Sequence, residues 1–113
     1  MKKKEIRVRC WIDIDGVRFF GPGRAELLGL IQETGSISQA AKTMGMSYKK
    51  AWAMVDEINS MTQKTYVVAH KGGEKGGGTE LTDVGKKMVA TYSKLMDKIN
   101  SVVAKEKDIL KLL

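Results

Sequence analysis

The chain contains very few of the residues on which disulfide frameworks, metal sites and acid–base catalysis depend. Its 113 residues include one cysteine and one histidine. Cys10 has no second cysteine for an internal disulfide, so we expect a buried thiol in a reducing compartment. His70 has no cysteine, histidine or carboxylate cluster at ligand spacing, and we expect a strand residue without a metal. No serine–histidine–aspartate set is apparent, so neither an enzyme nor a cofactor is expected.

Long apolar runs are also missing. Nothing after the N-terminal lysines resembles the apolar core of a secretory signal, and no segment is long enough to span a bilayer. We therefore expect a cytoplasmic protein with no membrane partner. The length predicts a single domain, residues 1–113.

Acidic residues are fewer than basic ones. Thirteen Asp and Glu stand against twenty Lys and Arg, which leaves a net charge of +7. This excess favours a polyanionic partner through salt-dependent attraction, but it indicates no sequence preference. Several of the positive charges lie in the first nine residues, and this arm either follows phosphates or is a solvated strand end.

The most informative stretch runs from residue 35 to residue 61. Ser36 is a good N-cap, and Gln39 is placed to complete a capping box. Apolar residues recur at helical spacing up to Gly45, where a left-handed residue ends a helix at least cost. Ser47 is a second N-cap, and the apolar pattern then continues to Met61. Two helices separated by so few residues cross steeply, which is the helix-turn-helix geometry.

The second helix begins with side chains suited to nucleic-acid contact. They are Ser47, Tyr48, Lys49 and Lys50. In this motif such residues reach base edges in the major groove while the first helix lies across the backbone. Lysine donates to guanine, and tyrosine contacts a phosphate or a thymine methyl. Ser36 and Ser38 are further candidates for phosphate contact, and Trp52 is assigned to the core. The alternative is an ordinary helical hairpin with a solvated lysine pair.

A glycine-rich hairpin is predicted after this helix. One strand covers residues 66–70, KGGEKGGG follows, and the return strand covers 79–82. Its position after a recognition helix is typical of a winged helix-turn-helix, with Lys71 and Lys75 as candidate phosphate contacts. A P-loop is a poor interpretation because Thr79-Glu80 follows the last glycine where Lys and Ser or Thr are needed. The alternative is a hairpin tip with no partner.

The flanking segments complete the predicted domain. A β-hairpin is predicted at 5–20. Apolar and polar residues alternate over 6–14, Asp15-Gly16 is a turn pair, and a second strand follows over 17–20. A support helix is predicted at 22–35. A long helix is predicted at 82–112, with an apolar seam at Met88, Tyr92, Leu95, Ile99 and Val102. The seam favours a homodimer that presents its recognition helices about 34 Å apart; the alternative is packing along its own domain.

Two segments of the chain resemble a known family: GPGRAELLGLIQETGSISQAAKTMGMSYKKAWAMVDEIN and the later KGGEKGGGTELTDVG. They resemble the N-terminal DNA-binding domain of the molybdate-responsive ModE-type regulators. That domain is itself similar to the winged domain of LysR-type regulators. The matching elements include GSIS and the alanines at 35–41, MGMSYK and AW at 44–52, Val55, Asp56 and Asn59, and Leu81-Thr82. The resemblance implies a dimer on a palindromic operator. In full-length members a separate C-terminal domain binds molybdate. Because the sequence ends at Leu113, we do not expect molybdate sensing here, and any signal would come from a separate effector or partner protein.

Together these features predict an α+β, mostly helical fold: a winged helix-turn-helix with an N-terminal β-hairpin and a long C-terminal dimerisation helix. The predicted function is that of a sequence-specific transcriptional regulator that binds double-stranded DNA as a homodimer on an inverted repeat. The alternative is a winged-helix protein-interaction module without a DNA target of its own.

Overall fold

A computed structural model describes residues 2–70 and 78–113 of the chain. The elements in chain order are β1 (Ile12–Ile14), β2 (Val17–Phe20), α1 (Pro22–Thr34), α2 (Ile37–Met44), α3 (Tyr48–Met61), β3 (Val67–His70), β4 (Gly78–Leu81), α4 (Asp83–Lys105) and a 3-10 helix (Asp108–Leu112). The strands form two antiparallel pairs, β1 with β2 and β3 with β4. The predicted α+β, mostly helical fold class is confirmed.

Helix α1 lies at the centre of the fold. It begins with Pro22, whose missing N–H would have had no helical partner at this position. It ends at Gly35, which has a φ of 70° and donates its N–H to the carbonyl oxygen of Ile31 at 2.7 Å. Leu27, Leu28 and Ile31 are fully buried, and the helix packs against α2, α4, β2 and β4. One helix therefore positions the helix-turn-helix, the second hairpin and the C-terminal helix.

Aromatic rings join distant parts of the chain in the core. Phe20 meets Tyr92 edge-on, with ring centroids 5.2 Å apart, and Phe19 lies 5.6 Å from Tyr66. Edge-to-face contacts of this kind add to the stabilisation that burial provides. The Tyr92 hydroxyl also donates to the carbonyl oxygen of Cys10 at 2.7 Å. These contacts attach the N-terminal segment to α4.

The N-terminal hairpin is shorter than the predicted 5–20. Asp15 and Gly16 both have positive φ angles, as a type I′ turn requires, but pairing extends only to Ile12, beside a register shift. Residues 2–11 pair with no described strand. Ile6 instead lines a cavity with Val103 and Leu110 at the far end of α4. Of the alternating apolar residues in this segment, Ile6 and Cys10 are half-buried, whereas Val8 is exposed.

Helix α4 is also shorter than the predicted 82–112. The Thr82 hydroxyl accepts from the N–H of Gly85 at its start, and the helix ends at Lys105, before the short 3-10 helix. Its apolar seam is divided between core and surface. Tyr92 is buried, whereas Leu95 and Val102 are 40% and 61% exposed. At 1.5 Å per residue the helix is about 35 Å long, so its second half extends past the core of the domain.

Candidate nucleic-acid interface

The first helix of the helix-turn-helix has well-defined ends. The Ser36 hydroxyl accepts from the N–H of Gln39 at 3.1 Å, as predicted. The N–H of Ser36 donates to the Thr34 hydroxyl at 3.3 Å, so Thr34 takes the place of Gln39 in the other half of the expected capping box. Gly45 adopts φ 70°, and the N–H of Met46 reaches back to the carbonyl oxygen of Ala41 at 3.0 Å. This hydrogen-bonded turn sets the angle at which α3 leaves α2.

The second helix begins with a cap that directs three long side chains outward. The Ser47 hydroxyl accepts from the N–H of Lys50 at 3.1 Å. Tyr48, Lys49 and Lys50 are exposed, and Tyr48 retains 54% of its accessible surface. Neither lysine forms an ion pair with another residue in the described ranges. Two unpaired cations therefore lie on the first turn, beside backbone N–H groups that also favour anions.

A shallow cleft joins this helix start to α2 and to the base of the second hairpin. Its volume is about 220 Å³. It is lined by Gly35, Ser36, Ile37, Ser38, Tyr48, Ala69, His70, Gly78 and Thr79. The fold thus brings Ser36, Ser38 and Tyr48 to one surface, next to the turn where Ser47, Lys49 and Lys50 begin α3. The candidate wing residues Lys71 and Lys75 lie outside the described residues.

The base of the hairpin is fastened to the helices through its backbone. Asn59, near the end of α3, donates its side-chain amide to the carbonyl oxygen of Val67 at 2.8 Å. The same side chain accepts from the N–H groups of Tyr66 and Val67 at 2.8 and 3.2 Å. On the other strand, the N–H of Thr79 donates to the carbonyl oxygen of Gly35 at 2.9 Å. These bonds fix the base of the hairpin relative to α3 and to the junction between α1 and α2.

Sequence reasoning did not assign a role to Asn59 or to the pair formed by His70 and Glu80. His70 ends β3, in agreement with its expected place in a strand, and its Nε2 lies 2.9 Å from Glu80 Oε1. The two residues lie on neighbouring strands, where Glu80 is paired with Val68. Their contact could not be predicted without the register of the two strands. For Asn59 the sequence contained a weak signal, because asparagine is a poor helix former and lies in the last turn of α3.

The assignment of Trp52 to the core was wrong. The side chain is 50% exposed, whereas Ala51, Val55 and Ile58 form the buried side of α3. Helical spacing places Trp52 beside Tyr48, one turn earlier, at the edge of the buried side. The apolar residues at helical spacing cover a wider face of α3 than the core buries. Periodicity alone therefore could not show that Trp52 lies at the edge of that face.

Charged groups on the opposite flank of α3 are engaged in structural contacts. Arg24 of α1 lies 2.9 Å from Glu57 and also donates to the carbonyl oxygen of Phe19 at 2.8 Å. The arginine is 17% exposed, so this pair links α1, β2 and α3 at the edge of the core. Because Glu57 is neutralised by Arg24, its negative charge interferes less with an anion near the start of the helix.

Within the described ranges, no group of three histidine, cysteine or acidic residues is placed to hold a metal ion. No helix among these residues combines the length and apolar character needed to cross a membrane.

No family model matches the chain. Curated proteins do match it over most of its length. It is 41% identical over 95 residues to a molybdenum transport protein ModE of Azotobacter vinelandii, a match covering 84% of the chain and 35% of that protein. It is 43% identical over 77 residues to a transcriptional regulator ModE of Yersinia pestis, covering 68% of the chain and 29% of the relative. The DNA-binding transcriptional dual regulator ModE of Escherichia coli K12 is 42% identical over 77 residues, with the same shares covered.

The chain thus spans about a third of the length of these relatives. The resemblance to the ModE-type regulators is confirmed by these matches. The chain belongs to the ModE-type family of transcriptional regulators.

Proposed function

We propose that this chain is a sequence-specific DNA-binding transcriptional regulator that acts as a homodimer on an inverted-repeat site. The observation on which the proposal rests is the start of α3. There a serine cap holds the helix end in place, and Tyr48, Lys49 and Lys50 project into solvent with the two lysines unpaired among the described residues. A recognition helix reads base edges with these positions.

The adjoining cleft supports the division of contacts in this proposal. Ser36 and Ser38 lie at the start of α2, where hydroxyl and backbone N–H groups suit a phosphate. Tyr48 lines the same cleft from α3. We assign base contacts to Ser47, Tyr48, Lys49 and Lys50, phosphate contacts to Ser36 and Ser38, and wing contacts to Lys71 and Lys75.

The exposed part of the α4 seam supports the homodimer. Leu95 and Val102 are seven residues apart, so they lie on one side of the helix, and both are exposed beyond the core of the domain. A second copy that packs there would bury both side chains. Sedimentation equilibrium tests this point: the wild type should be dimeric at micromolar concentration, and Leu95→Glu should shift it toward monomer. A monomeric wild type would contradict the proposed interface.

Selection from a random duplex library at about 150 mM salt tests DNA reading directly. The wild type is compared with the double variant Lys49→Ala, Lys50→Ala. The matched control is Lys87→Ala, Lys94→Ala, which removes the same number of charges from exposed positions on α4. We expect an inverted repeat that the wild type and the control enrich and the α3 variant does not. If no motif emerges, the chain has only general polyanion affinity, and a protein partner becomes the leading alternative.

A further inference from the structure

Trp52 is an exposed aromatic residue on the second turn of the proposed recognition helix. It retains 50% of its accessible surface, and Tyr48, four residues earlier, retains 54%. Residues at this spacing lie next to each other along one side of a helix. Tyr48 and Trp52 therefore form an aromatic strip along one side of the helix, on a surface that is otherwise polar.

The strip lies on the side of α3 that faces β3. Tyr48 lines the cleft with Ala69 and His70 of that strand. Asn59, seven residues after Trp52 and thus on the same side, binds the backbone of Val67. Trp52 lies between these two points of contact. It is therefore placed along the opening between the start of the recognition helix and the base of the wing.

The surroundings of the strip match a DNA groove in charge and in shape. Lys49 and Lys50 precede it, and no acidic residue occurs in α3 before Asp56. Ala53, the next residue, is exposed and small, which permits close approach of the helix at this turn. The apolar group that a major groove offers is the C5-methyl group of thymine. The strip thus offers apolar area beside the basic first turn of α3, while the exposed Asp56, four residues after Trp52, lies at its other end.

We infer that Trp52 contacts a thymine methyl group in the major groove and so helps to determine the bases that the protein selects. The inference rests on the proposed function, since it requires α3 to enter the groove. Trp52 is four residues after Tyr48, about 6 Å further along the helix axis, so its contact falls on a neighbouring base pair. The lysines supply charge and donors, and Trp52 supplies the apolar contact.

Fluorescence tests the position of Trp52 without removing it. The chain has two tryptophans, so Trp11→Phe leaves Trp52 as the sole reporter and Trp52→Phe leaves Trp11. Trp11 is the matched control: it is 41% exposed, but it packs over Gly21 with Arg18 4.4 Å from its ring centroid, on the N-terminal hairpin. We expect the selected duplex to reduce acrylamide quenching of Trp52 about twofold and to leave Trp11 unchanged. Unchanged quenching of Trp52, or equal protection of both residues, would overturn the inference.

Replacing thymine by uracil in the selected duplex tests the methyl contact. We expect a single dT to dU exchange, in one half-site only, to weaken wild-type binding about fourfold, the change that corresponds to one buried methyl group. The same exchange should change the affinity of Trp52→Ala very little, because the contacting ring is already absent. An equal loss in both proteins would exclude Trp52 as the contact.

The two proposals fail in different ways. If selection enriches no motif, the proposed function fails, and the inference about Trp52 fails with it. If selection enriches an inverted repeat while Trp52 remains open to acrylamide or insensitive to the thymine methyl group, only the inference about Trp52 is overturned. Protection by a protein ligand in the absence of any motif would assign the aromatic strip to a protein partner instead.

Discussion

The side chain of Asn59 satisfies both backbone hydrogen-bonding groups of Val67. Its amide nitrogen lies 2.8 Å from the carbonyl oxygen of Val67, and its amide oxygen lies 3.2 Å from the N–H of the same residue. The last turn of α3 is thereby attached to the first residue of β3. The Asn59 side chain therefore helps to fix α3, the proposed recognition helix, relative to β3 at the base of the proposed wing.

Replacing Asn59 by alanine should destabilise the protein by about 1–3 kcal/mol, because buried backbone groups at Tyr66 and Val67 would lose their partner. Urea unfolding measures this loss. Ser60→Ala is the control on the same turn, since among the described residues the exposed Ser60 hydroxyl bonds only to the carbonyl oxygen of Glu57. Equal stability of the two variants would show that solvent replaces the Asn59 contacts.

Gly85→Ala should also be destabilising, for a steric reason. A Cβ atom at Gly85 would clash with the carbonyl oxygen of Tyr66, which is backbone and cannot move aside without shifting the hairpin. We expect a loss of about 1–3 kcal/mol from overpacking. Gly29→Ala is the matched control, because a Cβ there meets no atom of the described residues within 4 Å, and a helical Gly→Ala change of this kind stabilises by about 0.5–1 kcal/mol. Thermal melting of the two variants should therefore shift in opposite directions.

Tyr92 gives the stability of the protein a dependence on alkaline pH. Burial raises the pKa of the Tyr92 hydroxyl above its ordinary value of 10.0, with a smaller contribution from Cys10. The neutral form is favoured in the folded state, so its stabilising effect is complete below pH 10.0 and is lost as the pH rises through the folded-state pKa. The difference in unfolding free energy between the wild type and Tyr92→Phe should shrink above that pH. A constant difference between neutral and alkaline pH would contradict this role.

Local signals in the sequence predicted the helix ends well. Ser36, Ser47 and Thr82 act as N-caps, and Gly45 adopts the left-handed conformation expected of it. Each of these features depends on a few neighbouring residues, so the information lies within one turn of chain. The same is true of the Asp15-Gly16 turn, whose positive φ angles follow from its residue types.

Features that depend on distant residues were predicted less well. The alternation before Ile12 indicated a strand, but the chain places no described strand beside it, and Ile6 packs near α4 instead. The exposure of Trp52 depends on how far β3 and the core reach along α3. The contact between Asn59 and Val67 requires both the end of α3 and the start of β3 to be known in space.

Lys49→Ala should separate base reading from general attraction to phosphates. If Lys49 donates to a base edge, its loss should weaken binding to the selected duplex by about 1–3 kcal/mol while changing affinity for a scrambled duplex much less. If it contacts a phosphate instead, both duplexes should lose affinity equally, and the slope of log K against log salt should fall by about 0.9. Titration by fluorescence anisotropy at several salt concentrations measures both quantities. Lys94→Ala, an exposed lysine on α4, is the control for net charge, and a loss equal to that of Lys49→Ala on every duplex would show that α3 has no special part in binding.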